Sequence, residues 1–129
     1  MGATRAKTRI LIVDDHPVLR EAMRNAFEQH EDMEVLGEAG DGEEAVRLTS
    51  ELKPDIVIMD IVMPKLSGKD TFYRLKKIAP SVPIVIASGF TKTEAVSDLL
   101  RDGAAAFMSK PFRLQDLSRE VGKHISRTT

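Results

Sequence analysis

Short apolar runs alternate with amphipathic stretches five times along this 129-residue chain, and that alternation constrains its fold more tightly than any other feature. The runs are Ile10 to Val13, Met33 to Ala39, Ile56 to Met59, Ile84 to Ala87 and Ala104 to Met108. Three are continuous and rich in Ile and Val, as strands buried on both faces of a parallel sheet must be. The second mixes Val35 and Leu36 with Glu34 and Glu38, which suits an edge strand. Between the runs, apolar residues fall at helical spacing. After Pro17 they are Val18, Leu19, Ala22, Met23, Ala26 and Phe27. An Asp41–Glu44 capping box opens a second helix that buries Ala45, Leu48 and Leu52. Phe72, Leu75 and Ile78 form a third face. Ala95, Val96, Leu99 and Leu100 form a fourth, stopped by Gly103. Leu114, Leu117, Val121 and Ile125 line the last. Strand and helix alternating with short connections predict a doubly wound α/β sandwich.

Open parallel sheets bind their ligands beyond the carboxyl ends of the strands. The polar residues just after each apolar run therefore matter most. They are Asp14 and Asp15 after the first run, Asp60 after the third, Ser88 after the fourth and Lys110 just past the fifth. Three carboxylates in one place repel one another unless a cation sits among them. Oxygen donors with no His or Cys nearby favour a hard ion such as Mg²⁺. A metal, a lysine point charge and a hydroxyl donor together describe a site for a phosphoryl group. Asp60 is then the candidate nucleophile, forming an acyl phosphate. Each residue alone has a plainer reading: Asp15 as a cap of the first helix, Asp60 as a loop aspartate, Ser88 as a turn residue, Lys110 as an exposed lysine. The case rests on all of them occupying one edge of one alternating fold.

Composition narrows the alternatives. The length fits a single core, and 42% hydrophobic with 30% charged residues is an ordinary globular balance. There is no cysteine, which excludes disulfides, thiolate catalysis and cysteine-based zinc sites. A net charge of -1 with scattered Lys and Arg gives no nucleic-acid or membrane footprint. No apolar run approaches a membrane span and the first eight residues lack a signal-peptide core, so a cytoplasmic location is expected. His16, His30 and His124 are too widely spaced to form a ligand motif. Gly40 and Gly42 read as turn punctuation. A phosphate-cradling glycine loop would follow the first strand, where Asp14-Asp15 stands instead, which argues against nucleotide binding.

Four segments resemble the receiver domains of bacterial response regulators, in that family's order and spacing. They are Ile10-Leu11-Ile12-Val13-Asp14-Asp15-His16, Ile58-Met59-Asp60-Ile61-Val62-Met63-Pro64, Ala87-Ser88-Gly89 and Lys110-Pro111-Phe112. The resemblance covers residues 9 to 126, with 1 to 8 as a flexible lead-in and 127 to 129 as a tail. It implies a chemotaxis-regulator-like, flavodoxin-like fold: a five-stranded parallel sheet in the order 2-1-3-4-5 with five helices. It implies that Asp60 takes a phosphoryl group from a phosphohistidine on a histidine kinase or phosphotransfer domain. Asp15, Asp60 and the backbone carbonyl of Val62 would hold Mg²⁺ directly, and Asp14 through water. Lys110 would contact the phosphoryl group, and the Lys110–Pro111 bond would be cis. Ser88 would move toward the phosphoryl oxygen and Phe107 would swing in behind it, changing the face formed by the fourth helix, fifth strand and fifth helix.

This sequence departs from the family at three places. Phe107 lacks the hydroxyl of the tyrosine frequent there, so its switch would report through packing. Val62 and Phe90 are apolar where many relatives are polar, which would hinder the hydrolytic water and lengthen the life of the acyl phosphate.

The function expected is a signalling switch rather than an enzyme, one that takes part in its own phosphorylation and slow dephosphorylation. A haloacid-dehalogenase-like phosphatase would need a carboxylate two residues after the nucleophile, where Val62 stands. A binding module that keeps the fold without phosphorylation would usually lack one acidic residue or the lysine, and none is missing. The partners expected are the kinase or phosphotransfer domain and either an output domain or a phosphorylation-dependent second copy, with no nucleic acid or membrane bound by this domain itself. Whether it stands alone or belongs to a helix-turn-helix regulator or a hybrid kinase stays open.

Overall fold

A computed structural model describes residues 7–61, 67–89 and 94–124, without the side chains of 94 and 95. Ten elements alternate: β1 (Thr8–Val13), α1 (Pro17–Glu28), β2 (Met33–Ala39), α2 (Gly42–Leu52), β3 (Ile56–Met59), α3 (Gly68–Ile78), β4 (Ile84–Ser88), α4 (Glu94–Arg101), β5 (Ala106–Ser109) and α5 (Leu114–Lys123). The strands form one sheet in the order β2-β1-β3-β4-β5, every neighbouring pair parallel. This is the doubly wound arrangement expected.

Alternation along the strands divides the core into two layers. Ile10, Ile12, Ile56, Ile58, Val85 and Ala87 face one side, packed with Met23 and Phe27 of α1 and Leu117 and Val121 of α5. Leu11, Val13, Val57, Met59, Ile84 and Ile86 face the other, packed with Ala45 of α2, Phe72 and Leu75 of α3 and Leu99 of α4. Burying each such aliphatic or aromatic side chain is worth about 1.5–3 kcal/mol, so both faces must be covered for the sheet to persist.

Several local expectations are corrected. β1 begins at Thr8, inside the stretch read as a lead-in, because Thr8 pairs with Met33 and is itself buried. β5 begins at Ala106 rather than Ala104 and, as the second edge strand, is only half-buried. Val18 is 81% exposed and Ile78 45% exposed, although both lie on apolar helical stripes. Val18 sits in the first turn of α1 and Ile78 is the last residue of α3, so both stand at helix ends. Asp15 does not cap α1; His16 holds the cap position and makes no side-chain cap bond. The Asp41 side chain accepts from the Glu44 amide, but Glu44 reaches back to the amide of Gly40 rather than Asp41. Gly103, at φ +114°, takes the left-handed turn that ends the α4 region. Ile125 lies outside the described residues.

Candidate functional site

Parallel register levels the strand ends. Val13 pairs with Met59, and Ser88 pairs with Ser109. Beyond these pairs the chain keeps to the ladder for one more step. The Asp14 amide donates to the Ala39 carbonyl at 3.0 Å, the Asp60 amide to the Val13 carbonyl at 2.9 Å and the Lys110 amide to the Ser88 carbonyl at 2.7 Å. Asp14, Asp60, Ser88 and Lys110 are therefore fixed by backbone bonds at one edge of the sheet, with Asp15 next in the chain.

Their side chains meet there. Asp14 and Asp60 are buried, whereas Asp15 is about one-third exposed at its side chain. Lys110 Nζ donates to Asp14 Oδ2 at 2.7 Å and to Asp60 Oδ2 at 3.1 Å. Burial pushes the Lys110 ammonium toward the neutral form, but its hydrogen bonds to Asp14 and Asp60 and their charges outweigh this and hold its pKa above the ordinary lysine value. Lys110 is thus no free surface lysine. Ser88 is the last residue of β4 and fully buried, so it is not a turn residue either. The Lys110–Pro111 peptide bond is cis. Phe107 sits opposite Ile86 and is half-buried against the α2–α4 layer of the core. Val62 and Phe90 lie outside the described residues.

One member of the cluster is not expected from the sequence. The His16 amide and ring Nδ1 lie 2.9 and 2.6 Å from Asp14 Oδ1, and Nδ1 is 3.2 Å from Asp15 Oδ1. Its spacing from the other histidines hid this, because it acts with its sequence neighbours. The donor set is therefore three carboxylates with one imidazole beside them, not oxygen alone. One ligand atom from each of Asp14, Asp15, His16 and Asp60 lies within 4.8 Å of all the others. Three carboxylates against one ammonium leave an excess of negative charge on hard oxygen donors, which fits a divalent ion such as Mg²⁺.

Comparisons with known proteins agree with this geometry. A family model of the response regulator receiver domain matches residues 10–122. The chemotaxis protein CheY of Thermotoga maritima is 40% identical over 105 residues, 81% of this chain and 87% of that protein. The uncharacterized transcriptional regulatory protein YxjL of Bacillus subtilis is 36% identical over 127 residues, 95% of this chain. A protein-glutamate methylesterase/protein-glutamine glutaminase of Methanococcoides burtonii is 39% identical over 113 residues, 86% of this chain. The chain spans only 58% of YxjL and 32% of the methylesterase. Among solved structures, the response regulator domain of Thermotoga maritima CheB superposes with a TM-score of 0.81 at 32% identity, covering 92% of each chain. A chain of the CheX–CheY–BeF3–Mg²⁺ complex of Borrelia burgdorferi gives 0.86 at 28% identity, covering 92% of this chain and 89% of that one. Sheet order, family model and relatives converge: the chain belongs to the response regulator receiver domains of two-component signalling.

Proposed function

We propose that Asp60 is the phosphoacceptor of this receiver domain, with Mg²⁺ as cofactor and a phosphohistidine on a kinase or phosphotransfer domain as donor. The observation that carries this reading is Lys110 Nζ bridging Asp14 and Asp60 inside the acidic cluster. An Asp60 oxygen attacks phosphorus, the P–N bond of the phosphohistidine breaks, and its electron pair returns to the imidazole nitrogen. Asp14, Asp15 and Asp60 are the side chains that would hold Mg²⁺, which when bound neutralises phosphoryl oxygens; the family resemblance adds the Val62 carbonyl. One structural relative was crystallised with BeF3 and Mg²⁺, in keeping with that choice of ion. Lys110 is already held at the edge as a charged donor for a phosphoryl oxygen, so little reorganisation is needed when charge shifts.

The output follows from β4 and β5. Ser88 and Phe107 lie on adjacent strands near the same edge. The Ser88 side chain, moving so that its hydroxyl donates to a phosphoryl oxygen, frees space that Phe107 fills, and the face of α4, β5 and α5 changes shape with it. The partner that reads this face is an output domain or a second copy. A cytoplasmic location suits a kinase-fed switch; among the described residues no helix is long and apolar enough to cross a membrane.

Intact-protein mass after incubation with acetyl phosphate and Mg²⁺ tests the reading, comparing wild type with Asp60→Asn. A gain of one phosphoryl group, lost without the ion and lost in the variant, is the expected result. No gain in the wild type from either acetyl phosphate or a kinase donor would leave a receiver fold that binds without being phosphorylated.

A further inference from the structure

Arg20, on the polar side of α1, is a half-buried cation whose guanidinium spans two strand exits. Its Nη1 donates to the backbone carbonyl of Asp14 at 2.5 Å, and its Nε donates to Glu38 Oε1 at 3.0 Å. Glu38 lies on β2 and is held from its other oxygen by Arg24 Nε at 2.6 Å. The guanidinium passes over Gly40, where a Cβ would come within 3.4 Å of Nη1. Asp14 is consequently fixed from four directions. Ala39 takes its amide, Arg20 its carbonyl, Lys110 one carboxylate oxygen and His16 the other.

We propose that Arg20 is a positioning residue for the acidic loop: by binding the Asp14 carbonyl while Glu38 anchors its other edge, it sets where the Asp14 and Asp15 carboxylates stand for Mg²⁺. This rests on the reading of the site given above. The ladder of β1 ends at Val13, so the peptide joining Asp14 to Asp15 stands just beyond the sheet, and its carbonyl accepts from Arg20. A guanidinium is suited to the task because its planar fork presents donors along two edges at once, whereas a lysine offers a single mobile point charge. Groups that orient metal ligands without touching the metal typically govern affinity in this way.

The sign of the effect separates positioning from charge. Arg20 is a cation near an anionic site, so on Coulomb grounds its removal should tighten Mg²⁺ binding. As a positioning residue, its removal should weaken it. Calorimetric titration with Mg²⁺ alone is expected to show the dissociation constant of Arg20→Ala rising on the order of tenfold. Arg20→Lys should recover little of that loss. Arg24→Ala loses an ion pair to the same Glu38 but no bond to the loop, and should leave the constant near wild type. Tighter or unchanged binding in Arg20→Ala, full recovery by lysine, or an equal loss in Arg24→Ala would each overturn the proposal. Amide hydrogen exchange without any ion supplies the second readout: Asp15 and His16 should exchange faster in Arg20→Ala than in Arg24→Ala, and equal protection would also overturn it. Failure of Asp60 phosphorylation in the wild type is a different result, because it removes the phosphoacceptor reading while leaving the exchange comparison intact.

Discussion

At Lys110, burial and ion pairing pull in opposite directions, and the pairs with Asp14 and Asp60 prevail. A lysine raised in the fold contributes stability that is fully present below its ordinary pKa of about 10.4 and is lost as pH rises through its higher folded value. Its charge is therefore available throughout the neutral range. Asp14, Asp15, Asp60, Ser88 and Lys110 were legible because each follows an apolar run, and a parallel sheet puts such positions on one edge. His16 and Arg20 were not legible. The first touches carboxylates beside it in sequence, and the second depends on Glu38, which only the β2–β1 pairing brings near. One residue-scale prediction concerns the apolar departures at Val62 and Phe90. If these side chains exclude the hydrolytic water, the variant Val62→Asn/Phe90→Glu will lose phosphate from Asp60 faster than wild type. The decay of the phosphorylated mass with time measures this, and an unchanged rate would remove the explanation.

Among the elements, β1, β3 and β4 were plain in the sequence because their apolar runs are unbroken. β2 was legible too, as an edge strand over Met33–Ala39, but its register was not: its pairing with β1 slips between Ile10 and Leu11, so Leu36 is passed over and Gly37 faces Leu11. α3 starts at Gly68, which no pattern singled out. The Gly68 amide donates to the Ile61 carbonyl at 3.0 Å, and a Cβ at Gly68 would overlap the Ile61 Cα, carbonyl carbon and oxygen. Ile61 follows Asp60 directly, so the start of α3 and the exit of β3 are packed backbone to backbone. Gly68→Ala must displace one of them. Its expected cost is about 2–4 kcal/mol in a urea unfolding curve, at the upper end of single substitutions. Slower phosphorylation of Asp60 should accompany it. A variant as stable as wild type would show that the contact yields easily.

For the whole molecule, ionic ties between elements set a limit at acid pH. Burial pushes the Glu38 carboxyl up, but the bonds from Arg24 and Arg20 outweigh it and hold its pKa below the ordinary glutamate value. A carboxyl lowered in the fold adds stability above its unfolded pKa of about 4.3, and that gain is lost as pH falls through the lower folded value. Melting temperatures of wild type and Glu38→Gln should differ at neutral pH and converge below about pH 4.3. A gap that persists undiminished to lower pH would mean the link between α1 and β2 does not depend on that charge. The sequence by itself determined the alternating α/β class, the strand cores and the edge where the aspartates and the lysine gather, because apolar period and position after a strand are local properties. Only the tertiary structure decided that Val18 and Ile78 stay outside, that His16 joins the acidic cluster and that Arg20 reaches from α1 to both Asp14 and Glu38. Those outcomes depend on where helices end relative to the sheet and on which distant strands become neighbours, and a one-dimensional pattern carries neither.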